Sequence, residues 1–259
     1  IKLIDKPQLV KDDLLLEEVF GLLIQAHYQT RPSDLRDILD APGFKLFVLF
    51  NGAKHQPTVL AACLISDEGP IWNGDTGNTT HTLQQDIFNG LRRPKGHLIP
   101  QVLAHHMGLI QALTLKGARI VRIATLPNLQ QHKLGSELLT SLSERLKNEQ
   151  YDYLGSSYAD TQDVRNFWLK NRFKRVRIGN KQDAASGTHS ALVIQGLSPA
   201  GTKLATAAEG IFSSTKKQIS NLNELTENET QLLNAFLTHR GSYENAKQLL
   251  ARFNNWGMP

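Results

Sequence analysis

Residues Arg119 to Lys147, RIVRIATLPNLQQHKLGSELLTSLSERLK, constrain the fold more than any other stretch, because a strand pattern, a tight turn and a helix pattern follow without a gap. Ile120, Val121 and Ile123 form a β-branched run of strand length. Leu134, Leu138, Leu142 and Leu146 recur every fourth residue and Leu139 widens the stripe, which predicts a helix with one face on a core. Pro127 stops the strand. The intervening Gln130, Gln131, His132, Lys133, Leu134, Gly135 and Ser136 place backbone N–H groups at a helix start, where they lack intrahelical partners and face an anion.

At 259 residues the chain exceeds a single core of about 100 to 200 residues, so one medium domain with an appendage is expected. Its 40% hydrophobic and 20% charged residues are globular proportions. No apolar run approaches the roughly 20 residues of a membrane span, so no membrane partner is expected. Cys63, the one cysteine, lies in the apolar run Val59 to Ile65 and is expected in the core of a cytoplasmic protein, since it cannot form an internal disulfide. A net charge of +5 favours an anionic partner. The chain opens with Ile1 rather than methionine and is read as a processed form or part of a longer polypeptide.

Along the chain, Asp12 or Asp13 caps a helix predicted to about Tyr28, with Leu15, Val19, Leu22, Leu23 and Ala26 inward. A polar loop and short helix follow to Gly43. Lys45 to Phe50 and Thr58 to Ile65 read as hairpin strands. Residues 67–90 read as a surface excursion ending in a short helix near Leu83 to Phe88. A basic turn then leads into a helix with Val102, Leu103, His106, Ile110 and Leu113 on related faces. Strands are predicted at Asp152 to Tyr158, Arg175 to Ile178 and His189 to Ile194. A helix is predicted at Thr161 to Asn171, with Val164, Phe167 and Trp168 inward. Ser198 to Gly201 reads as a hinge and Thr202 to Asn223 as a polar, mildly helical stretch. Thr226 to Glu229 is a capping box for a helix carrying Leu232, Leu233, Phe236 and Leu237, and a partner helix from Ser242 carries Ala246, Leu249, Leu250 and Phe253. The expected organisation is 1–197 as a catalytic domain and 198–259 as a helical tail.

The turn at Gln130 to Ser136 resembles motif A of the GCN5-related N-acetyltransferases, Gln/Arg-x-x-Gly-x-Gly/Ala, which wraps the pyrophosphate of acetyl-coenzyme A. Gln130 and Gly135 match it, and Lys133 replaces the first glycine. Three further stretches, Ala26 to Gly43 (AHYQTRPSDLRDILDAPG), Leu91 to Ala104 (LRRPKGHLIPQVLA) and Ser186 to Ala191 (SGTHSA), resemble the bacterial tRNA(Met) cytidine acetyltransferases, which acetylate the exocyclic amine of a wobble cytidine. The likeness covers about Ala26 to Leu197 and the tail only loosely. It implies an α/β (α+β) acetyltransferase fold, a mixed central sheet flanked by helices and followed by a helical tail, with tRNA as substrate. The family carries an ATP-driven helicase-like module ahead of this part. No Gly-x-x-x-x-Gly-Lys-Ser/Thr loop occurs in this chain, so ATP is expected only on that N-terminal module, the chain's partner in the parent polypeptide.

The resemblance implies that the backbone of Ile123, Ala124 and Thr125 holds the thioester, that Gln130 to Ser136 hold the pyrophosphate, and that Lys170 meets the cofactor. Arg172 stands where the family has glycine. Trp168 stands where many relatives of the broad class carry a proton-donating tyrosine, so another donor, or water, serves. A cytosine amine is a weak nucleophile and needs help losing its proton. His189, within the resembling Thr-His-Ser, is the candidate base, a structural hydrogen-bonding role standing beside it; Asp160 is the competitor. His97 reads as a helix-start residue or RNA contact. His105 and His106 are adjacent on a helix and are expected to point to different faces, so no metal pair is read.

Between Thr161 and Lys181, Arg165, Lys170, Arg172, Lys174, Arg175, Arg177 and Lys181 face the single acid Asp163. Arg172, Lys174, Arg175 and Arg177, with Arg92, Arg93 and Lys95 of the basic turn, are the expected RNA contacts. The competing readings are an acetyltransferase of the same fold acting on a protein or small amine, and a non-catalytic RNA-binding module in which coenzyme A no longer fits.

Overall fold

The structure is a computed structural model describing residues 1–25, 40–41, 43–52, 57–72, 82–182, 187–214, 224–238, 241 and 243–253. Most of the 26–43 stretch, Ser186, and residues 215–223 lie outside the described residues, as does the side chain of Lys181.

A seven-stranded mixed sheet in the order β1-β2-β3-β4-β5-β7-β6 organises the chain. Its strands are β1 (Lys2–Ile4), β2 (Phe44–Phe50), β3 (Val59–Glu68), β4 (Gly117–Thr125), β5 (Tyr153–Ala159), β6 (Lys174–Gln182) and β7 (His189–Gly196). The helices are α1 (Lys6–Lys11), α2 (Asp13–Gln25), α3 (Leu83–Phe88), α4 (Leu98–Met107), α5 (Leu134–Asn148), α6 (Gln162–Lys170), α7 (Pro199–Ser214), α8 (Glu227–Leu237) and α9 (Tyr243–Leu250). Neither β1 nor α1 was expected. β1 has three residues, too few for a periodic signal, and exists by pairing with Leu46, Phe47 and Val48 of β2.

Strand alternation divides the core between two layers. Phe47, Ala61, Cys63, Ala118, Ile120, Leu154 and Val193 face α5, meeting Leu138, Leu139, Leu142 and Leu146, while Trp168 of α6 closes the same layer. Tyr153, Leu192 and Ile194 face the opposite side and meet Ile99 and Leu103 of α4 and Leu204, Ala205 and Ala208 of α7. Beside them, Leu46 and Val48 pack on Val19, Leu22 and Leu23 of α2. Cys63 is wholly buried, as expected, and burial raises its thiol pKa beyond reach of ordinary pH.

Three local expectations need correction. Val164 is 37% exposed and Leu237 62% exposed, so neither joins the inward face assigned to it. Ser198 to Gly201 is no hinge: Leu197 and Ser198 donate N–H to the Asp152 carbonyl, and Ser198 Oγ donates to Asp152 Oδ1 at 2.6 Å. The same hydroxyl accepts from Gly201 N at 3.0 Å, which starts α7. The capping box forms as read, with Thr226 and Glu229 exchanging side-chain and backbone bonds. The α8–α9 pair covers its apolar face by setting Leu232 and Leu249 against Phe88 of α3.

Candidate active site

The parallel ladder between β4 and β5 is short. It pairs Gly117 with Tyr153 through Ile120 with Ser156 and ends there, although β4 continues to Thr125 and β5 to Ala159. On its other side β4 carries a bulge at the same point: Ile65 pairs with Ile120 and Leu64 with Arg122, leaving Val121 unmatched. A bulge bends and twists its strand, so the extra residue turns β4 away from β5 and opens a splay whose β4 edge, 121–125, has no β5 partner.

The turn after β4 leads from this splay into α5. Gln131 and Lys133 both adopt φ of 65°, the left-handed region. Lys133 thus takes the backbone shape for which motif A uses glycine, at a cost of about 1 to 2 kcal/mol. The first α5 bond runs from Glu137 N to Lys133 O at 2.9 Å, so the N–H groups of Leu134, Gly135 and Ser136 precede the intrahelical ladder and have no partner within it. A Cβ on Gly135 would lie 3.3 Å from the Phe167 ring and 3.5 Å from Thr125 Oγ1. The end of β4, the start of α5 and α6 therefore converge at Gly135. His132 is exposed and its Nδ1 lies 2.9 Å from the Gln130 carbonyl. Ile123 and Leu134 are partly buried against the core, and Ala124 is buried against the α2 side. Lys170 is exposed in the last turn of α6, and Arg172 beyond it again has φ of 65°.

Across β5, the backbone joins the two candidate bases: Asp160 N donates to His189 O at 2.8 Å. His189 Nδ1 lies 2.8 Å from the Gly179 carbonyl. A carbonyl only accepts, so Nδ1 carries a proton, which leaves Nε2 as the ring nitrogen that can act as an acceptor. Asp160 is committed elsewhere. It accepts from Arg165 Nε at 2.9 Å, Arg175 Nη1 at 3.2 Å and Tyr158 Oη at 3.3 Å. Burial works to raise its pKa, but these partners outweigh burial and hold the carboxylate below its ordinary range. Trp168 is 2% exposed with its Nε1 buried and unpartnered.

The basic run of α6 and β6 is not one surface. Lys174 pairs with Glu209 of α7 at 2.7 Å, and Arg165 and Arg175 converge on Asp160. A bulge explains the division. Arg175 pairs with Val193 and Arg177 with Leu192, leaving Val176 unmatched, so Arg177 shares a face with Leu192 toward α4 instead of following Arg175. Without the bulge, strand alternation would set the two arginines on one face.

The turn expected to touch RNA does assemble a cavity. A space of about 310 Å³ is lined by Arg92, Arg93, His97, Gln101, His105, His106 and Arg119, among others; Lys95 is exposed but does not line it. His105 and His106 do not diverge as expected: their rings meet edge to face at 4.8 Å and both line this space. Burial first, then the charges of Arg177, His105 and Arg93, push the His106 pKa down to about 3. Arg119 went unnoticed in the sequence although its signal was there, an arginine alternating with the core residues Ala118 and Ile120. Its Nε donates to Glu68 Oε1 at 2.5 Å. Among the described residues no group of three or more His, Cys, Asp or Glu side chains is arranged to hold a metal, and no helix is long and apolar enough to cross a membrane.

The GNAT acetyltransferase 2 family model matches residues 18–147 and 136–198. The chain is 39% identical over 212 residues to the tRNA(Met) cytidine acetyltransferase TmcA of Nitrosococcus halophilus, an alignment covering 82% of this chain and 27% of that protein. It is 36% identical over 194 residues to the protein of that name from Vibrio cholerae, covering 75% and 25%. A third relative, tRNA(Met) cytidine acetyltransferase TmcA 2 of Saccharolobus solfataricus, is 34% identical over 201 residues, covering 78% and 24%. The chain spans about a quarter of the length of these curated relatives.

Proposed function

Because the chain belongs to the GNAT acetyltransferase 2 family, we propose that it moves an acetyl group from acetyl-coenzyme A to the exocyclic amine of a tRNA cytidine. The left-handed backbone at Lys133 carries this reading: the residue differs from motif A, yet the chain keeps the shape that frees the α5 N–H groups for a pyrophosphate. That retention speaks against a module that has lost its cofactor. When bound, acetyl-coenzyme A supplies the thioester acetyl group. Gln130 to Ser136 would hold its phosphates, Lys170 would add charge, and the β4 edge at Ile123 to Thr125, unpaired on the β5 side, would receive the acyl arm.

His189 Nε2 takes the proton that the amine loses as its nitrogen bonds to the acetyl carbon. Asp160, gripped by two arginines, serves as a positioning residue and not as the base. Trp168 has no acidic proton to give, so another donor, or water, would protonate the departing thiolate. An RNA acceptor is favoured over a protein or small amine by the names of the relatives and by the arginine-lined cavity beside the splay. An N-terminal ATP-driven module of the parent polypeptide is the expected partner for extruding the base.

The test is parallel titration of the chain with acetyl-coenzyme A and with tRNA, followed by incubation with an unstructured cytidine-containing RNA and mass spectrometry of that RNA and of a lysine peptide offered in competition. Binding of both ligands with acetyl on cytidine supports the reading. Acetyl on the peptide alone would replace it with the protein-directed alternative, and RNA binding without cofactor binding would replace it with the non-catalytic one. His189→Gln should lower turnover by about 10² to 10⁴-fold without changing cofactor affinity.

A further inference from the structure

We propose that the cavity between the 92–98 turn, α4 and β4 seats a backbone phosphate of the acceptor RNA, with Arg92, Arg93 and Arg119 as its cationic partners. The proposal deepens, and rests on, the reading of the acceptor as RNA. Three arginines and three histidines line the space and no carboxylate does. The neighbouring carboxylate, Glu68, is fully buried and engaged: it accepts from Arg119 Nε at 2.5 Å, Leu98 N at 3.1 Å and Ile99 N at 2.8 Å. It fixes the Arg119 side chain and the start of α4 and does not itself line the cavity. Burial first, and then the charges of Arg93 and Arg177, lower the pKa of His105 and of His106, so the walls combine fixed positive charge with ring nitrogens suited to ribose or base edges.

Position identifies the source of the phosphate. Arg119 pairs with Gly155, one residue before the ladder ends at Ile120 and Ser156, so the cavity flanks the splay. Arg119 alternates with Ala118 and Ile120, which pack on α5, and therefore lies on the opposite face, toward α4. A cofactor pyrophosphate at the α5 turn approaches from one side of the sheet, and a ligand of this cavity approaches from the other. The cavity volume of about 310 Å³ is at the lower bound for small-ligand sites, roughly 300 Å³, enough for a nucleotide unit and too little for a folded protein segment.

The experiment titrates the chain with a short single-stranded cytidine-containing RNA, with adenosine 3′,5′-bisphosphate as the cofactor's phosphate head, and with inorganic phosphate, across a salt series. Arg92→Gln/Arg93→Gln is the test variant. Both residues are exposed, and a thermal melt verifies the fold. The variant should bind the RNA at least about tenfold more weakly, with a log–log salt slope shallower by up to about 0.7, the share of one phosphate on a single strand, while its affinity for the bisphosphate stays unchanged. Equal RNA affinity and slope in the two proteins would overturn the proposal. Loss of bisphosphate binding with RNA binding intact would overturn it by giving the cavity to the cofactor. If the RNA binds through these arginines but never receives acetyl, the phosphate seat stands and the acetylation reading falls; if the variant binds and acetylates cytidine at the native rate, the seat falls and the acetylation reading stands.

Discussion

Arg119 Nε and Glu68 Oε1 lie 2.5 Å apart, joining adjacent strands on the α4 face with the carboxylate fully buried. Burial pushes the Glu68 pKa up, against the lowering by Arg119 and the two α4 N–H groups. Removing the cation alone strands that carboxylate, so Arg119→Met should cost about 3 to 5 kcal/mol in chemical denaturation. Glu68→Gln/Arg119→Met should recover part of this loss, because the amide oxygen still accepts an α4 N–H. Equal destabilisation by the single and double variants would mean that the pair is not coupled.

Gly135 and Lys133 make opposite demands on the α5 turn. Gly135→Glu places a side chain against Phe167 and Thr125 and an anion where the phosphates belong, so calorimetry should find acetyl-coenzyme A binding abolished. Lys133→Gly relieves the left-handed strain and should stabilise the fold by up to about 1 kcal/mol while keeping the cofactor. Unchanged cofactor affinity in Gly135→Glu would remove this turn from the site.

The α5 unit was legible from sequence because leucine spacing and the turn residues carry their own periodicity, and the resemblance of Gln130 and Gly135 to motif A pointed to the ligand proposed for it. What could not be read were the two bulges. An unmatched Val121 or Val176 leaves no compositional trace, yet one marks the opening of the splay and the other sends Arg177 to a different face from Arg175. Charge counting therefore found a basic patch on β6, where ion pairs with Glu209 and Asp160 absorb much of it. It assigned no role to Arg119, whose contribution depends on the fold bringing it beside Arg92 and Arg93.

His106 gives the fold an acid sensitivity with a defined window. Its pKa falls from 6.5 to about 3, by burial first and then by Arg177, His105 and Arg93. Between those values the unfolded chain binds the proton that the folded chain refuses, so this contribution to stability falls as pH drops from 6.5 toward 3. Thermal melts should show a smaller loss between pH 6.5 and 4.5 in His106→Gln than in the native chain. Identical losses would show that the ring is solvated.

Arg252 and Glu229 form a buried ion pair within the C-terminal hairpin, on the same carboxylate that closes the capping box with Thr226. Arg252→Met should unfold α8 and α9 locally, raising amide exchange there and around Phe88 while leaving β4 and α5 protected. Uniform protection in both proteins would show that the hairpin does not depend on this pair.

The most direct measurement offers the chain an unstructured RNA oligonucleotide with a single cytidine, which needs no extrusion from a folded loop, together with isotopically labelled acetyl-coenzyme A and no nucleoside triphosphate. Nucleoside mass spectrometry should find the label on the cytidine, lost in His189→Gln and Gly135→Glu. A folded, cofactor-bound chain that leaves this cytidine unlabelled while labelling a peptide amine would contradict the account.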